Sequence, residues 1–269
     1  MTMYLRRRAS FSAGISGTGG MKPGGHNYVC ELTVAGSIDP VTGMVVNITD
    51  VDAVLKAQVV HLLDGVVLDS DIATFCATLP TPENIARFIW DACADRLPST
   101  CRLHGVTLYW KPTGWVSIRK NRTAMLTVTR AYDFSASHRL HAPSLGDQEN
   151  QAIFGKCNRV NGHGHNYEVE VTVAGDADPS TGRVISPDLL DRMVEEEVLT
   201  PFDHRHLNLD VPEFAETNPT SENLTRVIWD RLAARWGREP VSARLYRVTV
   251  RETARNYFDY YGPNADDGV

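Results

Sequence analysis

Three histidines and one cysteine are the residues of this 269-residue chain whose types and spacing are best suited to chemistry. His163 and His165 are one residue apart in a stretch that alternates as a β-strand does, so both side chains point to the same face. His138, in an earlier strand-like segment, is a candidate third ligand. Three protein ligands with one position left open are typical of a catalytic zinc site, and Cys157 is a candidate acid–base group or nucleophile beside it. A surface pair of histidines without a metal is the simpler alternative, and the spacing alone is consistent with both.

Composition places the chain among globular proteins and excludes several functional classes. The formal net charge of −6 gives no electrostatic reason to expect nucleic acid as a partner. No apolar stretch approaches the ~20 residues that a membrane span requires, and no leader-like apolar segment follows the first charges. The five cysteines are odd in number and lack a Cys-x-x-Cys pair, as expected of free thiols in a reducing compartment. We therefore expect a cytoplasmic protein without nucleic acid or membrane partners.

The sequence is a tandem duplication. GGHNYVCELTVAGSIDPVTGMV (24–45) matches HGHNYEVEVTVAGDADPSTGRV (163–184), and PTPENIARFIWD (80–91) matches PTSENLTRVIWD (219–230). A constant offset of 139 residues separates these segments. Repeats of this length indicate duplicated domains rather than a solenoid. The polar, basic stretch at 114–124 is the predicted boundary.

Each copy reads as strand, strand, helix, helix, strand, strand. In the second copy we predict strands at 125–138 and His165–Ala174, joined by a loop rich in Gly and Asn. Ser186-Pro187 is a good start for an amphipathic helix over 187–200, and a second helix begins near Pro219-Thr220. The last predicted strand is Arg244–Glu252, with partners up to Tyr261. This order predicts an α+β unit with helices on one face of an antiparallel sheet.

Several motifs of the second copy together resemble one known family. The resemblance covers essentially all of 125–262 and is carried by FSASHRL (134–140), Cys157-x5-His163-x-His165-Asn166-Tyr167, DHRHLNLD (203–210), NPTSENL (218–224) and VRET (250–253). These segments are similar to the 6-pyruvoyl-tetrahydropterin synthases and to the 6-carboxytetrahydropterin synthases of the queuosine pathway. The resemblance implies two tandem tunnelling-fold units, each an antiparallel four-stranded sheet with two helices on one face. Residues 1–120 would form a degenerate, inactive unit and 125–262 the zinc-dependent pterin synthase unit.

The resemblance also implies roles for individual residues. By this resemblance, His138, His163 and His165 would be the zinc ligands and Cys157 the catalytic thiol. Asp203 and His204 would form the proton relay. The substrate contacts would be Glu252, Thr220 and Ser221.

Purely structural roles stand beside three of these assignments. Asp203 could cap the chain or pair with Arg205. Thr220 is a natural N-cap, which does not exclude ligand contact. Glu252 at a strand end could be a surface charge.

The implied reaction suits these residue types. The substrate would be 7,8-dihydroneopterin triphosphate and the product 6-pyruvoyl-tetrahydropterin, formed by proton shifts along the side chain and elimination of triphosphate. Zinc would stabilise the developing enolate-type charge as a Lewis acid. A thiol near a cation loses its proton readily, so Cys157 could act as the base, and His204 oriented by Asp203 could move a second proton. The Glu252 carboxylate could accept two parallel hydrogen bonds from a pterin ring.

Other activities stay open at this point. The five residues between Cys157 and His163 favour the pyruvoyl reaction, because the carboxy enzymes more often have three. The competing reaction yields 6-carboxytetrahydropterin and releases acetaldehyde with the triphosphate. A non-catalytic pterin-binding or regulatory protein is an alternative of another class. A structural protein that uses the fold as a scaffold is a further one.

The first copy lacks the residues that would carry the chemistry. Ile15 stands at the position of His138, Gly24 at that of His163, and Gly65 at that of His204, while His26 alone is retained. We expect this copy to be metal-free and inactive, with a structural or regulatory role. Family units form rings of three, so we expect a homo-oligomer. The specific hypothesis is three chains in which a ring of second copies stacks on a ring of first copies.

Overall fold

The computed structural model describes residues 1–17, 21–120 and 124–263, and these form two compact units. The first unit comprises Met1–Thr129 together with Ala174–Val184. The second comprises Arg130–Val173 and the described part of Ile185–Val269. Residues 121–123, within the stretch taken from the sequence as the boundary, lie outside the described residues.

The sheet of the first unit is built from four long strands in sequence order: β1 (Met3–Ile15), β2 (Gly24–Gly36), β3 (Cys101–Lys111) and β4 (Gly114–Lys120). Each pairs antiparallel with the next. Alternation of side chains puts Leu32, Val106, Leu108 and Val116 in the core, and all four are fully buried. The period-two pattern of the sequence therefore decides which face of this sheet is covered.

Helices of the first unit cover that face. They are α1 (Ile48–Leu55), α2 (His61–Leu63), α3 (Leu68–Asp71), α4 (Ala73–Ala77) and α5 (Pro82–Ala94). A π-helical turn, Lys56–Val60, joins the first two. The longest, α5, starts at Thr81, whose hydroxyl accepts a hydrogen bond from the Asn84 N–H. It packs on β3 and β4 through Ile85, Ile89 and Cys93.

The second unit repeats this order. Its strands are β5 (Ala124–His138, of which residues from Arg130 lie in this unit), β6 (His163–Ala174), β7 (Arg205–His206), β8 (Arg244–Thr253) and β9 (Asn256–Tyr260). The order in the sheet is β5-β6-β8-β9, and the short β7 pairs in parallel with β5. The predicted α+β class with tandem antiparallel units is confirmed. The short parallel strand β7 was not predicted, because no periodic pattern in the sequence indicates it.

Its helices are α6 (Asp147–Phe154), α7 (Pro187–Val194), α8 (Thr200–Phe202), α9 (Leu207–Asp210) and α10 (Ser221–Trp236). A π-helical turn, Glu195–Leu199, makes α7 and α8 one continuous helical run, in agreement with the helix predicted over 187–200. The α7 cap is Ser186, whose side chain accepts from the Leu189 N–H. The predicted apolar faces are confirmed, since Leu190, Met193, Val198, Leu224 and Ile228 are fully buried.

The segment between β5 and β6 differs from the loop that its Gly and Asn content predicts. It contains α6 and a 3₁₀ turn, Gly155–Asn158. The buried Asn150 side chain holds this segment by accepting from the Ala142 N–H at 2.8 Å and donating to the Ala142 carbonyl at 3.0 Å. The Asn150 side chain thus satisfies both backbone hydrogen-bonding groups of Ala142, which have no partner in the regular secondary structure of the described residues.

Both copies have the same stacked aromatic pair near the end of their first strand, which we call the aromatic frame. Phe134 stacks on Tyr167 with ring centroids 5.2 Å apart, and the same pair in the first copy, Phe11 and Tyr28, is 4.9 Å apart. These aromatic pairs are buried and lock the first strand of each copy to the second. None of the described helices is both long enough and apolar enough to cross a bilayer.

Candidate active site

Three imidazoles converge where β5 ends and β6 begins. His138 is 1% exposed, and its Nε2 lies 3.3 Å from Nε2 of His163. His165 follows on the same face of β6, and one ring nitrogen from each of the three residues lies within 4.8 Å of the others. Among the described residues this is the one cluster of His, Cys, Asp or Glu close enough to hold a metal ion.

The hydrogen bond of His138 leaves a lone pair on the ring nitrogen that faces His163. His138 Nδ1 lies 2.8 Å from the Pro219 carbonyl, and because a carbonyl only accepts, Nδ1 carries the proton and Nε2 a lone pair. Burial is the main cause that lowers the pKa of His138 and of His163, so both rings are neutral near pH 7. His163 Nδ1 and His165 Nε2 are buried without a hydrogen-bond partner in the described part of the chain. Three imidazole nitrogens gathered in this way fit a divalent metal ion.

Tyr167 forms the floor under the triad. Its hydroxyl lies 3.5 Å from His138 Nδ1, and its ring meets that of His165 nearly edge-on at 5.5 Å. Burial raises the pKa of Tyr167, and the charges of Glu252 and Cys157 raise it further. The phenol is therefore neutral, and both Glu252 and Cys157 lie within electrostatic range of it.

Cys157 is a partly exposed free thiol in the 3₁₀ turn that follows α6. Its carbonyl accepts from the Leu140 N–H at 2.9 Å, which ties the turn to the end of β5. The Arg139 guanidinium strengthens the tie by donating to the Asn158 carbonyl at 3.1 Å, and His141 bonds to Asn158 Oδ1 at 2.9 Å. Arg139 and Asn158 were missed as site residues, although both lie in segments that carry the family resemblance.

Gly162 allows the chain before β6 to pass close to the backbone at the end of β5. Its φ is +66°, and a Cβ at this position would lie 2.5 Å from the His138 carbonyl oxygen. No side chain fits that distance, so glycine is required immediately before the first histidine of β6.

Asp203 and His204 form a pair beside β5. The Asp203 carboxylate accepts from the Ser135 N–H at 2.8 Å and lies 2.9 Å from His204 Nδ1. The Ser135 hydrogen bond is the main cause, ahead of His204, that lowers the pKa of Asp203. Pairing with Arg205, the structural alternative, is not what the structure shows, since the described ion pair of Asp203 is with His204. In the described chain no hydrogen bond joins either residue to the Cys157 thiol.

His204 is held in a costly backbone conformation. Its φ of +56° is the one positive value among the described non-glycine residues, and its N–H donates to the Ser135 carbonyl at 2.6 Å. Such a conformation costs a bulky residue on the order of 1 kcal/mol. It projects the imidazole into a cleft of about 630 Å³ that His165 and Asn166 also line.

Glu252 closes the other side of the triad. Its Oε1 lies 3.7 Å from His165 Nε2 and 3.9 Å from His138 Nε2. Ser221 donates to Oε1 at 2.9 Å and Asn256 to Oε2 at 3.1 Å. Partial burial acts to raise the pKa of Glu252, but the hydrogen bonds from Ser221 and Asn256, together with the neighbouring imidazoles of His165 and His138, outweigh it and the pKa is lowered. Glu252 is thus a fixed carboxylate rather than a loose surface charge, and Asn256 is a further site residue that sequence reasoning missed.

The start of α10 supplies the remaining predicted residues. Thr220 is the N-cap, and its hydroxyl accepts from the Asn223 N–H at 3.3 Å. Ser221, the first helical residue, is buried and turned towards Glu252. The N-cap role read from the sequence is confirmed, and the structure adds that this helix start positions the carboxylate.

Comparison with known proteins places these residues in context. The sequence model of the family "6-pyruvoyl tetrahydropterin synthase" matches residues 21–121 and 127–263. The 6-pyruvoyl tetrahydrobiopterin synthase of Homo sapiens is 47% identical over 141 residues, which cover 52% of this chain and 94% of the human protein. The 6-carboxy-5,6,7,8-tetrahydropterin synthase of Bacillus subtilis is 33% identical over 110 residues, or 39% of this chain and 70% of that protein.

A solved structure, the 6-pyruvoyl tetrahydropterin synthase of Caenorhabditis elegans, is 40% identical with a TM-score of 0.47 and covers 53% of this chain and 99% of that one. Because the family model matches both copies and so most of the chain, the protein belongs to the 6-pyruvoyl tetrahydropterin synthase family.

Proposed function

We propose that the second copy is a zinc-dependent carbon–oxygen lyase that converts 7,8-dihydroneopterin triphosphate to 6-pyruvoyl-tetrahydropterin and releases triphosphate. The observation that carries the proposal is the position of the Glu252 carboxylate, less than 4 Å from two of three converging imidazoles. This arrangement offers one anion for a ring with adjacent N–H donors beside one site for a cation. The names of the similar curated proteins support the same reaction.

His138, His163 and His165 would hold the zinc ion. Bound there, zinc would supply Lewis-acid stabilisation of negative charge that develops on the substrate side-chain oxygens. Glu252 would accept parallel hydrogen bonds from the pterin ring, and Ser221 and Asn256 keep its carboxylate in one orientation. Thr220 would stand beside the bound ring, at the start of the helix that carries Ser221.

Proton transfer would fall to Cys157 and to the Asp203–His204 pair. The Cys157 thiolate would take a proton from carbon in the substrate side chain, and its 3₁₀ turn is tied to the end of β5 through Leu140. Asp203 is ionised and holds the Nδ1–H of His204, so the free Nε2 of that ring could give or take the second proton. The site would then return to its starting protonation state as triphosphate leaves.

The competing product is 6-carboxytetrahydropterin, formed with release of acetaldehyde. The similarity to the Bacillus subtilis protein keeps this reaction in view, whereas the five-residue spacing from Cys157 to His163 favours the pyruvoyl product. A non-catalytic pterin-binding protein would need the same Glu252 but would have no use for the Cys157 thiol.

One product assay separates these functions. Chain loaded with zinc would be incubated with 7,8-dihydroneopterin triphosphate, and pterins and acetaldehyde would be quantified by mass spectrometry. We expect 6-pyruvoyl-tetrahydropterin without acetaldehyde. Carboxypterin with stoichiometric acetaldehyde would replace the proposed reaction by the competing one. Absence of turnover, with substrate binding retained, would identify a binding protein.

A further inference from the structure

A loop of the first unit is docked on a helix start through a small set of polar contacts. The loop lies in Ala174–Val184, the part of the second sequence copy that belongs to this unit. Thr81 donates its hydroxyl hydrogen to the Gly182 carbonyl at 2.7 Å, and the Glu83 carboxylate accepts from the Val184 N–H at 3.2 Å. Thr81 and Glu83 are 0% and 3% exposed, so this contact is fully desolvated.

The fit between loop and helix start is close. A Cβ at Gly182 would lie 2.6 Å from Asn84 Nδ2, so only glycine lets the two backbones approach. Burial raises the pKa of Glu83, and the positive charge of Arg183 acts in the opposite direction. The docked partners are therefore a glycine turn with one basic side chain and a helix start with one buried carboxylate.

The sequence duplication gives the chain a second helix start of the same kind. Thr220 caps α10 with the same backbone angles as Thr81, φ −67° and ψ 159° against −71° and 156°. Asn223 donates to the Asn218 carbonyl at 2.9 Å, as Asn84 does to the Leu79 carbonyl. Glu222, at the position of Glu83, is exposed. The second helix start is thus preformed, with its carboxylate in solvent.

The chain also has a second copy of the loop. Asp39 accepts from the Gly43 N–H at 2.8 Å and Asp178 accepts from the Gly182 N–H at 2.7 Å. The two glycines have φ values of +69° and +67°. In each loop the aspartate side chain also caps the turn, through Thr42 at 2.8 Å and Thr181 at 2.9 Å. The loop at 39–45 therefore has the docked shape already, but no atom of the described residues lies within 4 Å of a Cβ at Gly43.

Exposed apolar side chains surround this second loop. Ile38, Val41, Met44 and Ile48 are all exposed, Val41 to 91%. The corresponding residues around the docked loop are Ala177, Ser180, Arg183 and Pro187. Large apolar side chains clustered on one exposed loop are typical of a surface that is covered by a partner.

We propose that the 39–45 loop of one chain docks on the α10 start of a second copy of this chain, at Thr220, Glu222 and Asn223. The contact would repeat the docked one: the Gly43 carbonyl would accept from Thr220, and the Val45 N–H would donate to Glu222. It is heterologous, because each chain offers a loop to one neighbour and a helix start to another, so identical contacts continue until a ring closes. The contact joins the first copy of one chain to the second copy of another. It differs from the stacked rings expected from the sequence, in which each ring would join first copies to first copies or second copies to second copies. Docking also immobilises Ser221, which holds the Glu252 carboxylate.

The mass of the particle that the full-length chain forms in solution tests the contact, using variants that change the charge on the loop or on the helix start. Multi-angle light scattering of the wild type should give at least two chains per particle. Glu222→Arg buries an unmatched guanidinium, and Met44→Glu sets two carboxylates against each other, so each should weaken association by about 10-fold or more. Met44→Arg recreates the Arg183 arrangement and should tighten association. Glu216→Arg, on an exposed residue before the helix start, is the matched control and should leave the mass unchanged.

Mixing the two weakened variants tests the heterologous geometry. The Met44→Glu loop should dock on the Glu222→Arg helix start through an ion pair, and the unaltered loop and helix start should dock as in the wild type. The mixture should therefore regain the larger mass that neither variant reaches alone. A wild-type particle of one chain at every concentration would overturn the proposal. So would a Glu222→Arg mass equal to that of the wild type, or a mixture that stays dissociated.

Discussion

Asp203 accepts a hydrogen bond from the backbone N–H of Ser135 at 2.8 Å, and the first copy retains this bond between Asp64 and Ser12 at the same distance. In both copies, the aspartate carboxylate therefore connects the end of a helix, α8 or α2, to the first strand of the copy. In the second copy the same side chain also pairs with His204, where the first copy has Gly65. One aspartate thus has a structural role that is common to both copies and an orienting role in one of them.

The two roles of Asp203 should separate by substitution. In Asp203→Asn the amide oxygen can still accept from Ser135, so thermal stability should change little. The charge that holds His204 is lost, and kcat should fall by roughly 10²-fold or more. Asp203→Ala should lose both, with a lower melting temperature. Asp64→Asn and Asp64→Ala are the controls and should leave kcat unchanged; full activity in Asp203→Asn would show that His204 needs no orienting anion.

Metal binding and turnover should depend on different residues. His163→Ala removes one of three nitrogen donors, so metal content measured by atomic emission should fall from about one zinc per chain to near zero. Cys157→Ala should keep zinc and substrate binding but lose turnover, because the thiol is outside the triad. His26→Ala in the first copy is the control and should change neither. Zinc retained in His163→Ala would show that the three histidines are not the metal ligands.

The pH dependence of substrate affinity should report on Glu252. Its pKa is lowered by Ser221 and Asn256, so the ionised form needed to bind the pterin persists as the pH falls and is lost only when the pH passes below that lowered pKa. Ser221→Ala removes one donor and should move the acid limb of the KM profile to higher pH, with kcat at neutral pH less affected. Asn256→Ala should act in the same direction. Unchanged KM profiles in both variants would contradict the anchoring role.

Glu83 should make stability pH-dependent. Burial raises its pKa above the ordinary 4.5, so the folded state holds this proton more tightly than the unfolded state does. The stabilisation from the protonated form is complete at pH below 4.5 and is lost as the pH rises through the raised pKa. Glu83→Gln keeps an acceptor for Val184 and should melt at a higher temperature than the wild type near pH 7, with the difference shrinking towards pH 4. Glu216→Gln, on an exposed residue, should show no such pH-dependent difference.

Two glycines in equivalent turns should respond unequally to alanine. Both have positive φ, which costs alanine roughly 1–2 kcal/mol. Gly182→Ala also forces a methyl group against Asn84 Nδ2, whereas the methyl group of Gly43→Ala would contact none of the residues that the structure describes. Measured as single chains in dilute solution, Gly182→Ala should lower the melting temperature more. Equal losses would mean that the docked loop is free to move away from α5.

The sequence predicted the triad and the tandem units because each depends on local patterns. Alternation places His163 and His165 on one face, and N-cap chemistry marks Ser186 and Thr220 as helix starts. The residues that were missed act through contacts that no sequence pattern marks. Arg139 reaches Asn158, 19 residues further along the chain, only after the 3₁₀ turn has packed against the end of β5. Asn256 is only four residues from Glu252, but the two side chains meet only when the β8–β9 turn forms.

Two local features also escaped prediction for physical reasons. The π-helical turns at Lys56–Val60 and Glu195–Leu199 have the same apolar face as an α-helix, so periodicity does not distinguish them. The short β7 strand forms because Arg205 and His206 lie next to β5 once His204 has turned the chain. No run of strand-forming residues announces a strand of two residues.

The aromatic and aspartate frame of the first copy has a consequence for how the second copy acquires its metal. Phe11, Tyr28, Ser12 and Asp64 hold that frame with a single histidine, His26, left from the triad. A frame that stands without ligands does not depend on an ion for its assembly. Folding and loading of the second copy are then separate events, and a chelator should strip the ion from a chain that keeps its shape and can be reloaded.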